Sequence, residues 1–290
     1  MSSLKEIKGR IASVRSTLQI TSAMKMVAAA KLHRAQGAIG NMLPYSEKLQ
    51  GILTHLIDGG ARVESPMLRS GGGKVALVAF SSNSSLCGAF NSVAVKSALK
   101  LIRSLEDGGT EAADIRIYAV GKKAADGIRK AGYGLYKELP HLVDKPSWEE
   151  AAALAGELME SFAEGEVGRV CLCYNHYASN SSQPPVAENY LPLVLGGREA
   201  DESAPPAEDI ILEPDAESLV TALIPKVLLL KIYTVVMDSF AAENAARTVA
   251  MQMASDNADK LLEELNLEYN KRRQQAITSE LLDIVGGTMA

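Results

Sequence analysis

The sequence has 290 residues, of which 47% are hydrophobic, 22% charged and 5% aromatic, with a formal net charge of −5 at pH 7. This composition predicts a soluble protein with one core plus extensions, and the acidic balance argues against a general nucleic-acid binder. The longest strongly apolar run, Val227 to Leu230, is far shorter than the ~20 residues of a membrane span. Three cysteines without CxxC spacing and four scattered histidines predict structural thiols and no metal site.

The first predicted element is a long helix, because no proline occurs between Ser2 and Leu43. Pro44 is expected to kink this helix without ending it, and Gly59-Gly60 to end it. A heptad-like seam with alternating spacings of four and three residues comprises Ile7, Ile11, Val14, Leu18, Thr21, Lys25 and Ala28.

The same helix is strongly basic. Its first 35 residues contain a single acidic residue, Glu6. The basic residues in the same stretch are Lys5, Lys8, Arg10, Arg15, Lys25, Lys31 and Arg34. An organelle transit peptide shares this composition, but here the pattern has no cleavage-like break and continues past Ala35. We therefore favour a structural helix over a targeting segment.

Between Lys74 and Asn175, short apolar runs alternate with helical segments, the pattern of a β-α-β domain with a parallel sheet. The predicted strands are 74–81, 115–120 and 169–174, with 133–138 as a further candidate, and the predicted helices are 93–105, 122–131 and 148–162. Residues 186–194 are expected to form an edge strand, because prolines surround them. Residues 195–214, rich in Gly, Pro, Glu and Asp, are predicted to be a mobile loop.

A second long helix is predicted at the C-terminal end, because neither proline nor glycine occurs from Lys226 to Val285. At 1.5 Å per residue this run spans roughly 90 Å. Asp215 or Ser218 is its candidate N-cap, and Pro225 is tolerable near its start. The two long helices are expected to pack closely where both are rich in alanine, at Ala28, Ala29, Ala30, Ala241, Ala242, Ala245, Ala246 and Ala250.

Neither long helix can bury its apolar side alone, and both leave the same central domain. We therefore predict an α/β protein in which the two helices pair as a long antiparallel coiled coil, like a rod standing on a Rossmann-like base. The corresponding domains are an N-terminal coiled-coil helix at residues 1–60, a central α/β domain at 61–215 and a C-terminal coiled-coil helix at 216–290.

Nucleotide-binding fingerprints are absent from the central domain. Gly71-Gly72-Gly73-Lys74 precedes a strand and lacks P-loop spacing. Residues 121–123 open a helix after a strand, where an anion can bind, but an ordinary connection is the favoured interpretation. The serine-rich loop at 81–88 has no GxSxG elbow, so capping and turn formation explain it better than a nucleophile. No catalytic constellation emerges.

The end of the last helix is different, because a polar cluster there is followed by apolar residues. The polar cluster comprises Asn270, Lys271, Arg272, Arg273, Gln274, Gln275, Thr278 and Glu280. The apolar tip comprises Ile277, Leu281, Leu282, Ile284 and Val285. An apolar tip in water predicts a socket, so we expect the rod to insert into another protein. The alternatives are a nucleotide-dependent enzyme with helical oligomerisation arms and a free-standing coiled-coil tether.

Three groups of motifs carry a family resemblance. They are IKGRIASV at 7–14 with ITSAMKMVAAAKL at 20–32, LCGAFN at 86–91, and AAR at 245–247 with residues 256–258, YNKRRQ at 269–274 and residues 277–286. On these motifs the chain closely resembles the gamma subunits of F-type ATP synthases, the central rotor shafts of those complexes. Residues 82–85 depart from the family, where a charged turn is common.

The resemblance implies a non-catalytic subunit that couples proton or sodium translocation to ATP synthesis and hydrolysis by rotation. Its coiled coil would occupy the centre of the alternating alpha and beta hexamer, with the basic first helix facing acidic loops. Its central domain would contact the epsilon subunit and the membrane ring of c subunits. The family also implies one copy per complex, with peripheral attachment to the cytoplasmic face of the bacterial inner membrane.

The resemblance further implies which residues take part in the contacts between shaft and hexamer that matter for coupling. These residues are Met24, Arg247, Arg273, Gln274, Thr278 and Glu280. It implies no catalytic, cofactor-binding or metal-binding residue.

Overall fold

A computed structural model describes residues 4–58, 65–69, 71–194, 212–213 and 215–288, with the backbone alone at 283 and 286–288. The expected helix stop at Gly59-Gly60 and most of the predicted loop at 195–214 lie outside these residues. The described α-helices and strands, in chain order, are α1 (Leu4–Asp58), β1 (Lys74–Phe80), α2 (Phe90–Asp107), β2 (Ile115–Val120), α3 (Lys122–Lys130), β3 (Lys137–Glu138), α4 (His141–Asp144), α5 (Trp148–Ala163), β4 (Val167–Asn175), β5 (Pro185–Leu191) and α6 (Ala216–Thr288), and short 3-10 helices occur at Pro66–Leu68 and Ala112–Asp114.

The strands form one five-stranded sheet in the order β3-β2-β1-β4-β5, in which only β5 is antiparallel to its neighbour. This confirms the predicted parallel core and the edge strand. The candidate strand at 133–138 is shorter than predicted at its start, because the Tyr133 amide still donates to the Ile128 carbonyl at the end of α3, and only Lys137 and Glu138 pair with β2. The edge strand likewise ends at Leu191, directly before Pro192.

Helices cover both faces of the sheet. On one face α2 and α3 pack against side chains such as Leu77, Ile117 and Cys171. On the other face α5, the C-terminal part of α1 and the N-terminal part of α6 enclose the larger core. The three cysteines are free and buried, as predicted, and burial raises the pKa of each thiol.

Among the described residues one helix, α6, contains an 18-residue window apolar enough to cross a membrane, with a mean hydropathy of 1.9. Forty-four per cent of that window is buried within the protein. Apolar side chains of α6 from Val220 to Val236 belong to the core between the sheet, α1 and α5. Core packing therefore buries part of the apolar surface of this helix.

The two long helices, of 55 and 73 residues, pair antiparallel as predicted. Thr234 contacts Met42 near the sheet, and Thr21 hydrogen-bonds Ser255 farther out (Oγ1 to Oγ, 2.8 Å). The two contacts are 21 residues apart on α1 and also 21 residues apart on α6. Because 21 residues are three heptads, the register stays constant between them. In α6 the matching seam is Met251, Ser255, Ala258, Leu262, Leu265 and Tyr269.

The ends and interruptions of the helices also follow the sequence. Pro44 lies within α1 and Pro225 within α6, and neither ends its helix. Asp215 is the N-cap of α6, because its carboxylate accepts both the amide and the hydroxyl of Ser218 at 2.8 Å. The hydrogen bond from that amide lowers the pKa of Asp215.

Two glycines give opposite predictions for stability. Gly37 lies inside α1, where an added Cβ would meet open space, so Gly37→Ala is expected to raise the free energy of unfolding by about 1 kcal/mol. Gly121 has φ +103°, and an added Cβ would collide with the Ser81 carbonyl. Gly121→Ala is therefore expected to lower the unfolding temperature. Thermal unfolding followed by circular dichroism measures both, and equal effects of the two substitutions would contradict this assignment.

Candidate functional site

The carboxyl edge of the sheet, where α/β proteins commonly bind ligands, is filled by the chain itself. The N-terminus of α3, the candidate anion site of the sequence, points at the serine-rich loop after β1. Three of its amides donate to that loop: Lys122 N–H to Asn83 Oδ1 (2.9 Å), Lys123 N–H to the Ser82 carbonyl (3.1 Å) and Ala124 N–H to Ser81 Oγ (2.7 Å). These bonds satisfy the amides that an anion would need, and they confirm the prediction of an ordinary connection.

The serine-rich loop is held in one conformation by its own side chains. Asn91 Oδ1 accepts from the amide (3.0 Å) and the hydroxyl (2.9 Å) of Ser82, and Asn91 Nδ2 donates to the Ser84 carbonyl (3.2 Å). Leu86 is held at φ +68°, a left-handed conformation that is uncommon for leucine. The loop therefore has a fixed shape on which another element can close.

That element is α6. Arg247 donates from Nη1 to the Ser85 carbonyl (2.5 Å) and from Nη2 to Ser84 Oγ (2.9 Å) and Glu243 Oε1 (2.7 Å). Its side chain is 10% exposed, and that of Glu243 11%. Beside it, Cys87 of the loop and Phe90, the first residue of α2, pack on alanines 242 and 246 of α6. We call this contact the arginine junction.

A second polar contact joins α6 to the loop after β4. Asp238 accepts the Tyr177 amide at Oδ1 (2.9 Å) and His176 Nδ1–H at Oδ2 (2.7 Å). The Tyr177 hydroxyl in turn accepts from Gln36 Nε2 of α1 (2.8 Å). The loop thus contacts both helices of the coiled coil, and we call this contact the aspartate junction.

Sequence reasoning missed the junction residues Gln36, Ser84, Ser85, His176, Tyr177, Asp238 and Glu243. One signal was available in the sequence: Asp238 and Glu243 are acidic residues within an otherwise apolar and alanine-rich stretch of helix. A charged residue at such a position needs a partner when it is buried.

The outer half of the coiled coil leaves the sheet domain, and among the described residues α6 extends farther out than α1. In the register set by Thr21 and Ser255, Leu4 lies opposite Arg272. The described part of α6 continues to Thr288, which adds roughly 24 Å of helix.

The six predicted contact residues fall into three places. Met24 is half-buried on the outer half of α1, and Arg247 is buried in the arginine junction. The other four are exposed on α6 beyond position 272: Arg273, Gln274, Thr278 and Glu280. The structure thus groups the four C-terminal residues and separates Arg247 from them.

Apolar side chains are exposed on the same length of α6. Ile277, Leu281 and Leu282 have 48%, 58% and 65% of their surface exposed, and Ile284 and Val285 are also exposed. The structure therefore shows the predicted order along α6, in which the polar cluster is followed by the apolar tip. No group of three or more side chains suited to hold a metal ion occurs among the residues that the structure describes.

Comparison with known proteins identifies the family of this rod and base. The family model described as ATP synthase matches residues 3–290. The ATP synthase gamma chain of Bacteroides fragilis is 52% identical over 292 residues and that of Phocaeicola vulgatus 48% over 291 residues, with all of each chain covered. The chain belongs to the ATP synthase gamma chain family.

More distant members of the gamma chain family include that of Flavobacterium johnsoniae, which is 42% identical and covers 100% of this chain and 99% of its own. Among solved structures, a chain of the Euglena gracilis mitochondrial ATP synthase in rotational state 3 matches with a TM-score of 0.65 at 21% identity, covering 99% of this chain and 94% of its own. A chain of the Tetrahymena thermophila central stalk and c-ring matches with a TM-score of 0.57 at 22% identity, covering 81% and 99%. These structures confirm the fold.

The arginine junction makes a prediction for stability. Arg247→Met leaves the Glu243 carboxylate buried without its partner, so it is expected to lower the free energy of unfolding by about 3–5 kcal/mol. The double variant Arg247→Met/Glu243→Met replaces both charges with apolar side chains of similar length and is expected to remain close to the unsubstituted chain. Chemical denaturation of the three proteins measures this difference. A double variant no more stable than the single one would show that the two side chains are not a buried pair.

Proposed function

We propose that this chain is the central rotor shaft of an F-type ATP synthase. It couples proton or sodium ion translocation through the membrane ring of c subunits to ATP synthesis and hydrolysis at the alpha and beta hexamer by rotation. One observation carries the proposal: in a chain of the gamma family, the described part of α6 extends beyond the described start of α1 in a two-helix rod of constant register, and it exposes polar and apolar residues there. This geometry fits insertion into a central bore.

Rotation acts through the asymmetry of the shaft. Two helices side by side, of which α6 extends farther than α1 among the described residues, present a different surface in each direction. A turning shaft of this shape offers different contacts to the three catalytic subunits at any moment. Each subunit is thereby biased between conformations of different nucleotide affinity, because a partner shifts an equilibrium only through contacts that differ between the two states.

The hexamer contacts that we propose lie mainly on the exposed end of α6, at Arg273, Gln274, Thr278 and Glu280. Met24 is proposed to contact the hexamer from α1. A hexamer contact of Arg247 stays a prediction, because the hydrogen bonds that this residue makes are directed to its own chain.

The chain performs no chemistry of its own in this proposal. The carboxyl edge of the sheet supports this absence of chemistry. There the loop after β1 accepts hydrogen bonds from the amides of α3, and the loops after β1 and β4 form hydrogen bonds with α6. Equilibrium dialysis of the isolated chain against ATP and NAD tests the point. Binding of either nucleotide at micromolar concentration would favour an enzyme with helical arms instead.

The remaining partners follow the same proposal. The central α/β domain, residues 61–215, contacts the epsilon subunit and the c-ring, while segments 1–60 and 216–290 form the coiled coil. One copy serves each complex, attached peripherally at the cytoplasmic face of the bacterial inner membrane, and no nucleic acid is bound.

Reconstitution tests the proposal directly. Alpha and beta subunits are mixed with and without this chain, and ATP hydrolysis is followed. We expect steady hydrolysis to require the chain. Hydrolysis that is equally fast without it, together with failure of the chain to co-purify with the hexamer, would overturn the proposal.

Two substitutions test the proposed contacts. In membranes containing the complete complex, Arg273→Ala and Met24→Lys are expected to reduce protons pumped per ATP hydrolysed about fivefold or more, because contacts that differ between rotor positions are lost or distorted. Proton uptake and ATP hydrolysis are measured in the same vesicles. Lys260→Ala, at an exposed position of α6 nearer the base, is the control and is expected to pump normally. Full coupling in both test variants would refute these contact assignments.

A further inference from the structure

The two junctions have a mechanical role. We propose that the arginine junction and the aspartate junction are torsional clamps, which fix the angle of the coiled coil relative to the sheet domain so that twist passes between them. In this role Arg247 and Asp238 are positioning residues within the rotor, and Glu243 orients Arg247. The inference rests on the proposed function of the chain as a rotor.

The packing between the junctions explains why clamps are needed. Here α6 presents four alanines, 241, 242, 245 and 246, to α1 and to the loop after β1. Methyl groups allow close approach, but dispersion contacts have little directional preference. Hydrogen bonds weaken steeply when their angle changes, so they resist rotation of the helix about its own axis.

The two junctions grip opposite flanks of the same helix. Asp238 and Arg247 are nine residues apart, which is two and a half turns at 3.6 residues per turn, so their side chains leave α6 about 180° apart. A single bonded flank would let the helix pivot about that flank. Bonds on both flanks oppose rotation in either direction.

The arginine junction is rigid for reasons visible in its bonding. The planar guanidinium of Arg247 holds a main-chain carbonyl, a hydroxyl and a carboxylate at once. Glu243 lies one turn away on α6 and fixes the direction of the fork. The loop that receives these bonds is itself locked by Asn91.

The aspartate junction adds α1 to the clamp. Because the Tyr177 amide binds Asp238 on α6 while the Tyr177 hydroxyl accepts from Gln36 on α1, one residue of the sheet domain is bonded to both helices. Twist applied to the domain therefore reaches the pair as a unit. Farther out, the helices are held chiefly by their own seam.

This role differs from a direct contact with the hexamer. A contact residue acts where it meets the partner, whereas a clamp changes the stiffness between the base and the coiled coil. Torsional stiffness is therefore the measurement that separates the two roles.

The experiment uses the complete reconstituted complex with the hexamer immobilised and a bead attached to the sheet domain. Angular fluctuation of the bead during ATP-waiting pauses gives the torsional stiffness. Arg247→Met/Glu243→Met and Asp238→Ala are each expected to raise the angular variance about twofold or more, because directional bonds are lost while apolar packing remains. Lys260→Met, which removes a cation from the same helix away from the junctions, is expected to leave the variance unchanged.

Two further variants keep the test independent of folding. Ser84→Ala removes one acceptor of Arg247 without burying an unpaired charge, and it is expected to raise the variance by a smaller amount. Asp238→Asn retains an oxygen for the Tyr177 amide and is expected to recover part of the stiffness lost in Asp238→Ala. Unchanged variance in the double variant and in Asp238→Ala would overturn the clamp proposal. A complex that does not rotate even with the unsubstituted chain would instead overturn the proposed rotor function.

Discussion

The pairing of α1 with α6 is the interaction on which the rest of the structure depends. It joins the two ends of the chain in a constant register, from Thr234 and Met42 near the sheet to Thr21 and Ser255 farther out. The same two helices also complete the larger core of the sheet domain, so the base cannot form its full core without the rod. The coiled coil and the sheet domain therefore share one core, so that torque applied to the sheet domain can reach the coiled coil.

The sheet domain uses a common fold for an uncommon purpose. In α/β proteins the loops at the carboxyl ends of the strands usually surround a ligand. Here the loops after β1 and β4 bind α6 instead, and the amides at the start of α3 are taken by the first of these loops. A Rossmann-like fold thus binds a helix of its own chain at the edge where related folds bind a ligand. Proteins that share a fold often differ in function, and here the function depends on what the loops of the sheet contact.

The sequence predicts those features that are periodic or local. The spacing from Ile7 to Ala28, the alternation of strands and helices, and the cap at Asp215 are all confirmed, because each depends on neighbours within a few residues. The junctions could not be predicted in this way. Arg247 bonds to Ser84, 163 residues away, and nothing near either residue announces the other. The family motifs indicated that Arg247 matters, but only the fold shows which atoms it holds.

Rotation of this chain inside a hexamer is the central claim, and single-molecule observation tests it most directly. With the alpha and beta hexamer fixed to a surface and a bead on the sheet domain, addition of ATP is predicted to drive the bead in one direction, with three pauses per turn. Sustained ATP hydrolysis by the same complexes without directional rotation of the bead would contradict the account.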